Sequence, residues 1–218
     1  GRCGSRRSGS EAISMDLVLV RHAEPKRLTA HDTGGAPADP SLTERGRSQS
    51  DRVAAWLRHE RFDALYTSSK ARAIETAAPV AEAIGLSPTI HDGWLEYDAE
   101  SPDYIPMEEL RATKDPRLLA MAAGDWTSFG TADPMTFRTQ VAAALDDTVR
   151  RHSGERVLVV CHGGVINAAL ALVVGIDQHL WFDPHYTSIS RIVASRGGVR
   201  TIVSVNETAH LVATRESL

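Results

Sequence analysis

Cysteine is scarce in this chain of 218 residues: Cys3 and Cys161 are its only two. A pair so placed, one in an irregular N-terminus and one in an apolar run, excludes a disulfide framework and a cysteine-rich metal site. A reducing, cytoplasmic setting fits them best. Long hydrophobic runs are also missing. The longest, Val165 to Ile176, is interrupted by Asn167 and Gly175 and falls short of the roughly 20 residues that a membrane-spanning helix needs. Nor is there a dominant charge: the formal net charge is -4, without the basic blocks that mark nucleic-acid or anionic-membrane partners. The default partner is a small soluble substrate, and a homodimer is left open. Residues 1–14 (GRCGSRRSGSEAIS) lack the apolar stretch of a secretory signal and any periodicity, so they are expected to be a tag or disordered extension. Residues 15–218, 42% apolar across the chain, suffice for one core and are expected to form a single domain.

What is present alternates between two periodicities. Asp16 to Arg21 (DLVLVR) and Arg156 to Cys161 (RVLVVC) are short, continuously apolar runs, the pattern of strands buried on both faces of a parallel sheet. Phe62 to Thr67 predicts another strand, and residues 86 to 96 a third extended piece. Between them, Val53, Trp56 and Leu57 fall at i, i+3 and i+4 and predict one core-facing helical stripe, with Thr43 as its N-cap. A second helix is expected from Ser68 to a stop at Gly85, a third between Pro106 and Ala123, a fourth over Phe137 to His152, and a fifth from Gly163-Gly164. Ser188 to Ala194 and Val199 to Val205, joined through Arg196-Gly197-Gly198, predict an antiparallel hairpin. The sum is an α/β fold: a three-layer α/β/α sandwich with a mostly parallel mixed sheet. The Pro- and Gly-rich section at about 97–133 is expected to be a cap over the site. The long loop from Ala23 to Pro40 belongs to the same rim.

Three expected strands end on polar groups: Arg21-His22, Thr67-Ser68 with Arg72 a turn later, and His162-Gly163-Gly164. Open α/β sheets bind ligands at the C-terminal ends of strands, so these sets can converge. Guanidinium forks and helix N-termini both suit a dianion, phosphate above all. A neutral histidine beside that phosphate can attack phosphorus while arginines neutralise the equatorial oxygens.

LVLVRHAEP (17–25), SLTERGRSQS (41–50), YTSSKARAIETA (66–77) and VLVVCHGGVI (157–166) together resemble the histidine phosphatase superfamily, the phosphoglycerate-mutase-like proteins. The resemblance implies that fold and a metal-independent phosphomonoester hydrolase without cofactor. It implies His22 as the nucleophile that becomes phosphohistidine, with Arg21, Arg72 and His162 binding the phosphoryl group. The family's acid is a glutamate after the third strand, to which Glu96 is the nearest match; Glu24, Asp98 and Glu100 are rival carboxylates. Ser68 and Gly163 are further candidates for phosphate contact, although Ser68 and Thr76 serve equally to cap or pack a helix. Gly163 and Gly164 are expected to allow close backbone approach. The chain departs from the family at Ala23, where many members have glycine, and at Pro25-Lys26. The Trp-Asn signature and larger insertion of the mutases are missing, which favours hydrolysis over the mutase rival. Two further rivals are a non-catalytic phosphate- or phosphoprotein-binding module and a protein phosphohistidine phosphatase.

Cys161 does not fit a cysteine phosphatase, because position 167, where the arginine should stand, is Asn167. The remaining histidines lack zinc-site spacing, so no metal is expected. His185 to Ser188 are candidates for the pocket rim. Trp94, Tyr97, Tyr104 and Trp126 either line the substrate side or pack the cap.

Overall fold

The computed structural model describes residues 14–127 and 133–212. Most of the expected N-terminal extension, and part of the expected cap, lie outside the described residues. The strands are β1 (Ser14–Arg21), β2 (Ala64–Thr67), β3 (Thr89–Ile90), β4 (Arg156–Cys161), β5 (Ile189–Ser195) and β6 (Arg200–Glu207). They form one sheet in the order β3-β2-β4-β1-β5-β6. The pairs β2–β3, β2–β4 and β1–β4 are parallel, while β1–β5 and β5–β6 are antiparallel.

The helices are α1 (Ala30–Thr33), α2 (Glu44–Leu57), α3 (Ala71–Ile84), α4 (Met107–Ala112), α5 (Pro116–Ala122), α6 (Pro134–Arg151), α7 (Gly163–Val174) and α8 (Ala209–Val212), with a 3-10 turn at Asp92–Trp94. Alternation along the central strands sorts their side chains onto two faces. Val18, Val20, Leu158 and Val160 pack with Val53 and Leu57 of α2 and Ala73, Ala77 and Val80 of α3. Leu17, Leu19, Val157, Val159 and Cys161 pack with Val141 and Leu145 of α6 and Ile166 and Leu170 of α7. This is the expected three-layer α/β/α sandwich. No described helix is long and apolar enough to cross a membrane.

Thr43 caps α2 as expected, its Oγ1 accepting from the Gly46 N–H at 2.9 Å. Gly85, at φ 72°, ends α3. Trp56 departs from expectation: Val53 and Leu57 are fully buried, whereas Trp56 is 45% exposed. It sits at the edge of the stripe, with its ring tilted against His210. The helix expected between Pro106 and Ala123 is two, α4 and α5, because Asp115-Pro116 begins a new N-terminus: the Asp115 carboxylate accepts from the Arg117 N–H and Pro has no N–H to continue the first helix. Only Thr89–Ile90 of the third extended piece joins the sheet.

Candidate active site

β4 lies beside β1, and β2 beside β4. Helix α2 follows β1 onto one face of the sheet and α7 follows β4 onto the other. The chain therefore parts at the C-terminal ends of β1 and β4, the position at which α/β sheets leave a crevice. Arg21, His22 and His162 stand at that edge. His22 is tied across it, its N–H donating to the Cys161 carbonyl at 2.8 Å.

His22, 2% exposed, places Nδ1 2.8 Å from the Ala23 carbonyl oxygen. A carbonyl only accepts, so Nδ1 carries the hydrogen and Nε2 keeps the lone pair. The Ala23 peptide is itself fixed: its N–H donates to Thr76 Oγ1 at 2.9 Å, and that hydroxyl donates to the Arg72 carbonyl at 2.7 Å. Burial, then the charges of Arg72 and Arg21, hold the His22 pKa well below the usual imidazole range. The ring is neutral at pH 7 and nucleophilic at Nε2.

His162 is fully buried, its ring centroid 5.1 Å from that of His22. Its Nε2 lies 2.7 Å from Ser68 Oγ, so Ser68, expected on the phosphate, instead orients the imidazole and does not line the cavity. Its Nδ1 has no hydrogen-bond partner among the described residues. The same holds for Arg21 Nε and for Arg72 Nε and Nη1. Buried donors without partners are rare, and three of these nitrogens, Arg21 Nε and Arg72 Nε and Nη1, belong to residues that line one crevice. Two cations and these donors make a site for an anion.

Glu96 is partly buried. Its Oε2 accepts from the Gly164 N–H, at the start of α7, at 2.8 Å, and Oε1 from the Tyr97 N–H at 3.1 Å. Burial, and then the charge of Asp98, raise its pKa to about 7. Asp98 is engaged differently: Arg72 Nη2 donates to it at 3.3 Å. Glu24 accepts from Thr43 and pairs with Arg45, and Glu100 is exposed. Of the two expected close-approach glycines, Gly164 is the constrained one: a Cβ there would lie 2.3 Å from Glu96 Oε1 and 2.7 Å from Tyr97 Cδ1. At Gly163 the nearest atom would be Arg21 Nε, at an ordinary 3.5 Å. Gly163 does line the cavity.

That cavity, about 70 Å3, brings together Arg21, His22, Arg72, Glu96, Gly163 and Gly164 with Tyr97, Asp98, Tyr104 and, from α4 and α5, Leu110, Arg111 and Arg117. It is several times the space that one water needs. Helices α4 and α5, from the section expected to be a cap, thus supply part of its wall. Trp94 and Trp126 belong to the core instead. Cys161 is buried in that core, where burial pushes its thiol up, so it is no nucleophile. No cluster of metal-holding side chains occurs among the described residues.

The sequence left several groups unassigned. Tyr186 lies under the Arg21 guanidinium, 4.0 Å from its ring centroid, and Tyr104 under that of Arg72 at 4.5 Å. Glu108 of α4 accepts from Arg21 Nη1 at 3.0 Å. Thr187 sits at φ 57°, a strained conformation for a β-branched residue, and its N–H donates to the Arg21 carbonyl at 3.1 Å. Two signals pointed this way: Tyr104 as a candidate for the substrate side, and His185 to Ser188 as polar residues just before the hairpin.

The sequence model of the histidine phosphatase superfamily (branch 1) matches residues 17–208. Phosphoserine phosphatase 1 of Hydrogenobacter thermophilus is 26% identical over 207 residues, covering 90% of this chain and 94% of that protein. Among solved structures, a mutant phosphoserine phosphatase from Entamoeba histolytica in complex with phosphoserine superposes with a TM-score of 0.71 at 21% identity, over 91% of this chain and 100% of that one. Phosphoglycerate mutase from Bacillus anthracis superposes at 0.67 and 22%, over 92% and 96%.

Proposed function

The chain belongs to the histidine phosphatase superfamily, and on that premise we propose that it is a phosphomonoester hydrolase working through a phosphohistidine at His22. The observation that carries the reading is the fixed tautomer of His22, with Nδ1–H on the Ala23 carbonyl and Nε2 free, beside the unpartnered donors of Arg21 and Arg72. In the first step Nε2 attacks phosphorus, the bond to the ester oxygen breaks, and that oxygen takes the proton of Glu96. In the second, the Glu96 carboxylate takes a proton from water, the new P–O bond forms, and the P–N bond breaks to release phosphate. Arg21 and Arg72 neutralise the phosphoryl oxygens throughout, while His162, kept neutral by burial and by the charges of Arg72 and Arg21, stands beside the His22 ring. Glu96 is preferred to Asp98 as the acid because its pKa of about 7 keeps a protonated fraction near neutrality, whereas Asp98, although burial raises it too, is engaged by Arg72 at 3.3 Å.

The substrate is a small phosphorylated metabolite with a carboxylate near the ester. Arg111, paired with Asp183, and Arg117, paired with Asp115, line the same cavity as Arg21 and Arg72, and the named relatives act on phosphoserine or phosphoglycerate, both of which carry a carboxylate. The single free cysteine of the described residues, Cys161, fits a reducing, cytoplasmic setting.

The test is a steady-state assay with p-nitrophenyl phosphate in EDTA, wild type beside His22→Ala, followed by trapping of the phosphorylated protein. Turnover that survives the chelator, disappears in the variant and leaves an acid-labile, base-stable adduct is expected. Phosphoserine should then outperform phosphoethanolamine, which lacks the carboxylate. An adduct returned to an acceptor in place of water would establish the mutase reading, and no adduct at all would overturn the mechanism.

A further inference from the structure

Each phosphate-binding arginine already holds a carboxylate: Glu108 on Arg21 at 3.0 Å and Asp98 on Arg72 at 3.3 Å. Asp98 neighbours the proposed acid, but nothing in the two chemical steps uses Glu108. It is nevertheless built in with care. Its Oε1 accepts from Arg21 Nη1, and its Oε2 accepts from the Tyr186 hydroxyl at 2.8 Å. The same Tyr186 ring lies against the Arg21 guanidinium, and the Pro184 carbonyl takes a second bond from Nη1 at 2.6 Å. Nη1 is thereby spent, while Nε is left unpartnered.

We infer that Glu108 is a positioning residue that turns the Nε edge of Arg21 toward the phosphoryl group and, by its negative charge, weakens the hold on phosphate so that product leaves. The inference rests on the phosphatase reading above. A permanent carboxylate against a cation meant for a dianion subtracts from the attraction it offers. An unopposed pair of buried arginines would bind free phosphate as readily as substrate. Tight binding of both would lower KM without raising kcat, and slow release would limit turnover. Burial works against the charge of Glu108, but Arg21 and Tyr186 more than offset it and keep its pKa below the usual value. The charge is therefore present at neutral pH.

The effect is moderated by exposure, since the Glu108 side chain is 43% accessible and solvent screens it. Glu108→Gln preserves shape and the hydrogen bond from Arg21 while removing the charge, and Glu108→Ala removes both. The experiment titrates inorganic phosphate into wild type and both variants at pH 7.5 by calorimetry, alongside kcat and KM for p-nitrophenyl phosphate. Phosphate should bind about five- to tenfold more tightly to Glu108→Gln, with KM falling in parallel and kcat not rising, and less tightly to Glu108→Ala than to Glu108→Gln, because Arg21 there loses its hold as well. Unchanged or weaker phosphate binding in Glu108→Gln, or a raised KM with lowered kcat, would assign Glu108 a purely structural role and overturn the inference alone. Wild type that binds no phosphate would remove the anion site, and with it the functional reading as well.

Discussion

Burial raises the Glu96 carboxyl to a pKa of about 7, with Asp98 adding to the shift, so near neutrality it is present in both forms. The first chemical step needs it protonated, and His22 is neutral well below the usual imidazole range. The kcat/KM profile should therefore fall on its alkaline side, as pH rises through about 7, and hold on its acid side against loss from His22. Glu96→Gln should lower kcat by about 10^2- to 10^4-fold for an ester with a poor leaving group and abolish the alkaline limb. If the limb persists in the variant, the acid is another group, with Asp98 first in line. At this scale Arg21, His22, Arg72 and His162 were legible because each lies within a short, ordered motif. Glu108 was not, and Tyr104 and Tyr186 were candidates without a partner, since each meets an arginine from a distant part of the chain: Glu108 is 87 residues from Arg21.

Helix α7 shows what an element adds. Its first turn gives Gly164 N–H to Glu96, and one turn later Asn167 holds the loop that closes the crevice. The Asn167 Oδ1 accepts from the Trp181 N–H at 3.0 Å and the Phe182 N–H at 3.2 Å, while Nδ2 donates to the carbonyls of Gly163 and Phe182. That loop carries Pro184, whose carbonyl fixes Arg21. Asn167→Ala would leave two loop N–H groups unsatisfied, at a cost of about 2 to 4 kcal/mol. Thermal unfolding should come at a lower temperature, and phosphate affinity should fall as Arg21 loses its support. A destabilised variant with unchanged phosphate affinity would separate the loop from the site. The glycine pair was readable as a close approach, but which glycine is constrained depended on where Glu96 packs.

Across the whole molecule, stability and chemistry occupy different parts of the sheet. The strand interiors supply the two apolar faces, and the crevice takes only their C-terminal ends. Leu158, fully buried in the middle of β4 against the α2–α3 layer, touches stability alone. Leu158→Ala should cost about 2 to 5 kcal/mol, which at this size lowers the midpoint by roughly 5 to 15 °C. Measured well below that midpoint, kcat should stay within about twofold. A larger loss of kcat in the folded variant would mean that core packing reaches the crevice.

The sequence by itself determined the buried strands, the helices that flank them, the hairpin and the strand ends at which Arg21, His22 and His162 stand. Those properties are written locally, in apolar runs, helical spacing and short motifs whose residues are covalent neighbours. It could not place Trp56, whose spacing matches the stripe but whose side chain is left half exposed against His210. Nor could it divide α4 from α5, or separate Glu96 from Asp98. The tertiary structure decided the first two and gave Glu96 and Asp98 their different partners, along with the carboxylate and the tyrosine set against each arginine. Burial, charge pairing and close approach depend on which distant segments meet, and that is settled only when β1, β4 and the cap helices are brought to one edge of the sheet.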